Sequence, residues 1–362
     1  MKDKAIYKKI AKIAGTVLLY VSSVALLLVV TLLIAVYMIS SGKSPVVKEL
    51  FVTTMCDTGA LDFMAYMFNS EEEVKEILAK SNVVVPKGET DTSKIIIRGE
   101  DSDEKEKDPE IESADKKLGI EYNEEGVALV DVKGKTYVGK MLVVKDPTRV
   151  KVAGLNAYGE GKVGKTTEQM AKDANALAAT NAGGYAEQSD YKTGGIPEGR
   201  NGAGLVIIDG KLLWGSRDSK YEIIGIDKKG ILYVDTMTAG QALDKGIQYA
   251  VNWGPVLVKN GEPCIVESEG SNPGFHPRTA IGQRSDGSML ILVIDGRQSH
   301  SMGASYEDLV EIMVRFGAVN AANLDGGMSS YMVYDGEIIT SPYMLYFNGK
   351  RTVATSFIVT RK

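Results

Sequence analysis

The stretch Asn323-Leu324-Asp325-Gly326-Gly327-Met328-Ser329-Ser330 sets an acid, two glycines and two hydroxyls directly after an apolar run. A strand over 318–324 would hold Asp325 rigidly at its end, and Gly326 and Gly327 leave the backbone bare enough for a ligand to approach its N–H groups. Asp-Gly is also an ordinary turn, and the chain carries its own controls. Asp209-Gly210 and Asp335-Gly336 stand between apolar runs, and Asp286-Gly287 stands just before the run 289–294, which is the tight-hairpin signature. Asp295-Gly296-Arg297 differs, because it ends the run 289–294 and leads into a polar loop. Asp325-Gly326 differs too, since a further glycine and a Met-Ser-Ser loop follow.

The elements around these two acids are well punctuated. Ser305 with Asp308 three residues on reads as a helix N-cap; Leu309, Ile312, Met313 and Phe316 share one face, and Gly317 is the stop. The order is strand, Asp295 loop, helix, strand, Asp325 loop. If the two strands run parallel in one sheet, both acids emerge at the same sheet edge, where ligands bind in open α/β arrangements. Two carboxylates facing one cleft suit general acid, general base or nucleophile work.

The segments His276-Pro277-Arg278-Thr279-Ala280-Ile281-Gly282, Asp295-Gly296-Arg297 and Asn323 to Ser330, in that order, resemble the phosphodiester glycosidase family. The resemblance runs from about Tyr137 to Val359 and takes in Asp146-Pro147-Thr148-Arg149, Ala178-Ala179-Thr180-Asn181, Gly254-Pro255 and Lys350-Arg351-Thr352-Val353-Ala354. It implies an enzyme that releases a sugar such as N-acetylglucosamine from a sugar-1-phosphodiester. Two departures bear on substrate: Asn181-Ala182-Gly183-Gly184-Tyr185 stands where the family has Asn-Gly-Gly before an aromatic, and Met328 replaces the third glycine after the late Asp.

Cleavage at phosphorus usually recruits metal ions or a cationic clamp. Cleavage at the anomeric carbon releases a phosphomonoester, a good leaving group, so one carboxylate that activates water or attacks suffices. Asp325 is the catalytic candidate, with Asp295 as its partner, as a residue orienting a sugar hydroxyl, or as a structural Asp holding its loop at Gly296 and Gly303. Arg278 and Arg297 are the candidate phosphate ligands, because guanidinium groups bind phosphate oxygens bidentately; for Arg278, at a strand entrance, a structural ion pair is the alternative. The other substrate-binding candidates are Asn181, Gly183, Gly184, His276, Thr279, Gly326, Gly327, Ser329 and Ser330. Asn181 is equally a turn residue, Ser329 and Ser330 equally caps, and His276 equally a packed loop residue. No Gly-x-Ser-x-Gly supports a serine nucleophile. Gly159 to Lys165 lacks the spacing of an NTP phosphate loop.

Compartment is written in the first forty residues. Residues 13–39 carry no charge, more than the ~20 residues a bilayer crossing needs. Lys2, Lys4, Lys8, Lys9 and Lys12 precede them, so the positive-inside rule keeps the N-terminus cytoplasmic and the rest outside. A cleaved signal peptide is the competing reading, against which stand the length of the run and the want of a clear Ala-x-Ala site. The expected organisation is a cytoplasmic tail over 1–12, a transmembrane anchor over 13–40, a juxtamembrane helical stalk over 41–99 with a Ser70/Glu73 capping box, a charged linker over 100–115, and the catalytic domain over 116–362. That domain is expected to be a strand-rich α+β (mixed α/β) fold, with Thr166 and Gln169 capping a helix whose face is Met170, Ala174, Leu177 and Ala178. Cys56 and Cys264 are too few for a disulfide framework. His276 and His300 are the only histidines, so no cofactor or zinc site is expected, although carboxylates could hold calcium. A net charge of −5 without a basic, aromatic-interleaved patch argues against a nucleic-acid partner. The expected partners are a phosphodiester-linked glycan and the membrane. The rival reading is a glycan-binding or assembly protein that keeps the cleft without turnover.

Overall fold

The computed structural model describes residues 2–58, 61–79, 82–97, 109–186, 193–199, 202–267, 274–343 and 350–362. They form two compact units, one built on the residues up to 79 together with Gly274 and one on 82–267 and 275–362.

The first unit is helical: α1 (Lys2–Ser41), α2 (Pro45–Thr58), α3 (Asp62–Tyr66) and α4 (Glu71–Ala79). Its span Lys12–Ser41 is long and apolar enough to cross a membrane, a test that a signal sequence also passes. The capping box expected at the head of α4 is formed, with Ser70 Oγ accepting from the Glu73 N–H (3.1 Å) and Glu73 accepting from the Ser70 N–H (3.1 Å). Val52, Ala65, Val74 and Ile77 make a small core between α2, α3 and α4.

The second unit is strand-rich α+β, as expected. Its largest sheet has seven strands in the spatial order Glu262–Pro263, Val256–Lys259, Ala318–Asn323, Arg278–Arg284, Met289–Ile294, Val138–Val144 and Val127–Lys133. A five-stranded sheet runs Glu337–Ile338, Met332–Tyr334, Ala176–Asn181, Thr355–Thr360 and Val150–Gly154. Another runs Lys211–Trp214, Val206–Ile208, Ile247–Asn252, Lys220–Asp227 and Leu232–Thr238. One core is shared by all three: Ile291 and Val293 from the first, Phe357 and Leu177 from the second, and Ile224 and Val251 from the third. This explains the unbroken apolar run 289–294. Met289, Ile291 and Val293 face the shared core, while Leu290, Leu292 and Ile294 face the layer that holds Leu309 and Ile312.

The remaining helices are α5 (Pro109–Leu118), α6 (Thr167–Asp173), α7 (Ala239–Asp244) and α8 (Tyr306–Arg315). The Ser305 capping box of α8 is complete, and Leu309, Ile312, Met313 and Phe316 are buried as the spacing requires. All three control Asp-Gly pairs close antiparallel hairpins. In two of them Asp209 and Asp335 have φ of 52° and 48°, followed by glycines at 70° and 82°.

Several expectations need correction. Residues 101–108 of the charged run lie outside the described residues, but α5 occupies its second half, beginning at Pro109. Proline suits the first helical turn, and Ile120 beyond the helix end is buried with Leu118 packed against the same core. Stretch 82–97 goes with the second unit, where Asn82–Val84 pairs with Ile265–Glu267 and the Thr90 N–H donates to buried Asp235 (3.0 Å), which also pairs with Lys259 (2.7 Å). Helix α6 stops at Asp173, and Leu177 and Ala178 belong to the next strand. The chain turns at Asn175, φ 47°, and a strand buried on both faces mimics a helical spacing of apolar residues. Neither Cys56 nor Cys264 is in a disulfide, and burial pushes the Cys264 thiol up to about 11.

Candidate active site

Sheet register brings the two acids to one end. Strands Met289–Ile294 and Ala318–Asn323 flank Arg278–Arg284 antiparallel, so they run parallel to one another with one strand between. Arg278 pairs with Ile294, and Ala280 pairs with Asn323. Asp295 and Asp325 therefore leave the sheet beside the incoming His276-Pro277 segment. The second sheet contributes the end of Ala176–Asn181, because the Asp325 N–H donates to the Ala182 carbonyl (3.0 Å).

A buried scaffold fixes the Asp325 loop from behind. Asn181 is fully buried; its Nδ2 donates to the Asp325 carbonyl (2.6 Å) and its Oδ1 accepts from Thr279 Oγ1 (2.7 Å). Thr279 Oγ1 also lies 3.0 Å from Ser330 Oγ, and Ser329 Oγ lies 2.7 Å from the Tyr185 hydroxyl. Asn181, Thr279, Ser329 and Ser330 are all buried, and their side-chain hydrogen bonds tie the Asp325 loop to the sheet behind it. Gly183 donates its N–H to Thr355 Oγ1 (3.1 Å). Gly184 is a point of close approach: a Cβ there would lie 2.0 Å from the Trp253 ring and 2.8 Å from the Glu198 carbonyl oxygen. The N–H groups of Asp325, Gly327, Ser329 and Ser330 are engaged by backbone carbonyls. Gly326 lets the chain pass close to Pro277, where a Cβ would lie 3.0 Å from the Pro277 carbonyl oxygen, and Gly327, φ 64°, donates its N–H to that carbonyl (3.0 Å). Asp325 itself is half-buried.

The Asp295 loop is organised by its own carboxylate. Asp295 is buried; Oδ1 accepts from the Ser341 N–H (2.8 Å), Oδ2 stands 3.4 Å from His300 Nε2, and its carbonyl accepts from Ser301 Oγ (2.6 Å). Burial pushes this carboxyl above its ordinary value, opposed by the Ser341 and His300 hydrogen bonds. With the folded pKa raised, the native state holds the proton more tightly than the unfolded chain, so this group's stabilisation is present below about pH 4 and is lost as pH rises through the folded value. The unfolding free energy of wild type minus that of Asp295→Asn is accordingly expected to fall as pH rises from about 4 toward neutrality; a difference that rises over that range would show the charged form to be favoured.

Arg297 follows in the left-handed region, φ 57°, an uncommon conformation for a non-glycine residue and one concentrated at functional sites. Its Nη2 lies 3.1 Å from His276 Nδ1. A guanidinium only donates, so His276 Nδ1 accepts, and buried His276 orients Arg297. Arg297 also stands over the Tyr343 ring (5.7 Å), with Nη1 3.8 Å from where a Cβ on Gly327 would sit. Gly303, φ 119°, lets the loop close over His276: a Cβ there would lie 2.5 Å from the backbone N, C and O of that residue. Gly303→Ala is expected to lose about 2–3 kcal/mol in denaturant unfolding, against about 1 kcal/mol for Gly336→Ala. The contrast arises because Gly336 also has positive φ but nothing near its Cβ position.

Arg278 sits apart from this group. It is buried on the opposite face of the sheet from Thr279, its Nε donates to the Ala304 carbonyl (3.2 Å), and its guanidinium stacks 4.3 Å from the Tyr306 ring centroid. Period-two alternation along the strand forces this: if Thr279 faces Asn181, Arg278 faces α8. These contacts place the Arg278 guanidinium against the start of α8.

A sequence profile described as phosphodiester glycosidase matches residues 174–360, just over half of the chain. The chain belongs to the phosphodiester glycosidase family. Similar proteins include the SPbeta prophage-derived uncharacterized protein YomE of Bacillus subtilis, 29% identical over 190 residues, covering 49% of this chain and 27% of that protein. The N-acetylglucosamine-1-phosphodiester alpha-N-acetylglucosaminidase of Mus musculus is 28% identical over 232 residues, covering 58% of this chain and 42% of its own length. The chain thus spans less than half the length of either relative. Among solved structures, the zebrafish N-acetylglucosamine-1-phosphodiester alpha-N-acetylglucosaminidase catalytic domain, auto-inhibited by its pro-peptide, superposes with a TM-score of 0.52 over 65% of this chain and 82% of that one, at 22% identity. That similarity establishes a shared fold.

Two groups around this loop, Tyr185 and the Arg351 that stands over it, escaped the sequence reading as site residues. Tyr185 is buried with its hydroxyl on Ser329; burial first, and the neighbouring Asp325 carboxylate second, push its phenol up, while Arg351 opposes. Arg351 stands over the Tyr185 ring (5.6 Å). Both lie in stretches that carried the resemblance, Gly-Gly-Tyr185 and Lys-Arg351-Thr. Their signal was present, yet nothing in chain order ties residue 351 to residue 185. Among the described residues, no three or more His, Cys, Asp or Glu side chains gather as a metal-binding group.

Proposed function

We propose that this protein is a membrane-anchored, extracytoplasmic glycosidase that hydrolyses a sugar-1-phosphodiester, of the N-acetylglucosamine-1-phosphodiester type, at the anomeric carbon. The observation that carries the reading is the half-buried Asp325 at a rigid strand end, with Arg351 near it through Tyr185 and Arg297 over the next turn. Asp325 takes a proton from water as the water oxygen bonds to C1, or attacks C1 itself to form a glycosyl ester that water then cleaves. The C1–O bond to phosphate breaks and its electron pair leaves with the phosphomonoester. Arg297 and Arg351 hold the phosphate oxygens, and Asp295 keeps the Arg297 loop in shape. The relatives named for this activity in animals support the substrate class. The apolar span behind a lysine-rich N-terminus supports the anchor, with the catalytic unit outside and envelope glycans as the natural substrates.

The test is a product assay. Full-length protein in detergent, incubated with a GlcNAc-1-phosphodiester, is expected to release free GlcNAc and a phosphomonoester. Sugar-1-phosphate as product would indicate cleavage at phosphorus, and binding without product would indicate a glycan-binding protein, the reading that Met328 and the Asn181-Ala182-Gly183-Gly184 loop favour. In the same assay Arg297→Ala is expected to raise KM about 10- to 100-fold, the worth of one or two charge-assisted hydrogen bonds, with a smaller loss in kcat.

A further inference from the structure

In the first unit an apolar surface of five side chains is exposed beside α1: Leu61 39%, Phe63 56%, Tyr66 44%, Met67 42% and Phe68 43%. They bracket and form α3, a five-residue helix, whose inward residue Ala65 is fully buried in the small core with Val52 and Val74. The outward residues are thus large and apolar on a segment whose packing needs are already met on the other side. Charge within it is limited to exposed Asp62 in the first turn of α3, and exposed Glu71, Glu72, Lys75 and Glu76 follow on α4.

Where this surface lies relative to the bilayer is fixed by its contacts with α1. Phe68 meets Tyr37 edge to face, with ring centroids 5.5 Å apart, and Asn69 Nδ2 donates to Ser40 Oγ (3.2 Å) with both residues buried. Val36 is buried at the same level. The end of the segment, Phe68 and Asn69, is therefore docked against the last two turns of α1. About 20 residues of helix cross the hydrocarbon and the uncharged run 13–39 is longer, so its final turns sit at the headgroup boundary of the outer leaflet. Tyrosine next to phenylalanine and methionine at that depth is the composition of an interfacial anchor, with ring bodies among acyl chains and hydroxyls among headgroups.

We propose that Leu61, Phe63, Tyr66, Met67 and Phe68 form a lipid-facing patch that rests in the outer interface and holds the helical unit α2 to α4 down on the membrane surface. The inference depends on α1 spanning the bilayer. The occupant is lipid because the patch is continuous, through Tyr37 and Phe68, with the exposed apolar surface of α1 at Ile34, Tyr37 and Met38.

Nitroxide labels on the full chain in phosphatidylcholine–phosphatidylglycerol vesicles test this. With Cys56 and Cys264 replaced by Ser, single labels go at Phe63→Cys, at Leu27→Cys in the middle of α1, and at Lys75→Cys on the charged face of α4. The readout is accessibility to oxygen, which partitions into lipid, relative to a water-soluble nickel complex. The expected result is a ratio at 63 several-fold above that at 75 and approaching that at 27. A ratio at 63 equal to that at 75, with 27 deep in lipid, overturns the patch while leaving the span intact. A water-like ratio at 27 instead overturns the span and the inference with it. Nickel exclusion at 63 accompanied by spin–spin broadening that disappears on dilution with unlabelled protein would assign the patch to a second copy of the chain, and the lipid proposal would fall.

Discussion

Asp325→Asn is expected to leave the fold intact and to cut release of sugar from a GlcNAc-1-phosphodiester by about 10³-fold, the scale of a positioned acid–base group. The variant is informative because the loop is held at its backbone: Asn181 holds the Asp325 carbonyl, and the Asp325 N–H is on Ala182. An amide of the same shape keeps those bonds while losing the ability to take a proton or to attack C1. Substrate affinity should change little, since in the proposed arrangement the phosphate is held by Arg297 and Arg351. The measurement is steady-state kcat and KM beside a thermal melt. A variant that melts like wild type and turns over within about ten-fold of it would remove Asp325 from the chemistry. Asp295→Asn provides the contrast. Its carboxylate is engaged by Ser341 and His300, so its loss should act through the shape of the Arg297 loop and appear mainly in KM.

The halves of this picture that were legible in the amino-acid order are the local ones. Ser305-x-x-Asp308 and Thr166-x-x-Gln169 predict helix starts because a capping box is satisfied within four residues, and both boxes form. Three Asp-Gly hairpins are equally local, and setting them aside is what singled out Asp295 and Asp325. Arg278 went the other way. Its chemistry suits a phosphate, but strand alternation decides which face it takes, and that depends on where Thr279 points, which only the meeting of two sheets at Asn181 fixes. Tyr185 and Arg351 were hidden for a related reason. They lie far apart in the chain and come together only because strand Thr355–Thr360 pairs with Ala176–Asn181. Asn181 was visible as a site residue but its role was ambiguous, since an amide next to glycines can serve a turn, a ligand or a neighbouring loop.

That ambiguity makes Asn181→Ala the second decisive variant. The side chain is fully buried, so the substitution leaves the Asp325 carbonyl without its Nδ2 donor and removes the Oδ1 acceptor of Thr279. Leaving such groups unsatisfied costs about 1–3 kcal/mol in stability. The effect on catalysis should be larger in proportion, because the chain that carries the Asp325 carboxylate is released at its own carbonyl. A shift of that group by ~1 Å is enough to lower kcat about 10²-fold. KM should stay near the wild-type value, since an amide enclosed behind the loop does not meet the sugar. If KM rises and kcat holds, Asn181 is a substrate ligand and the positioning role is wrong. A double-mutant cycle with Thr279→Val sharpens the test. Two residues that fix one loop through one hydrogen-bonded path should lose less together than the sum of their separate losses, whereas independent contacts would add.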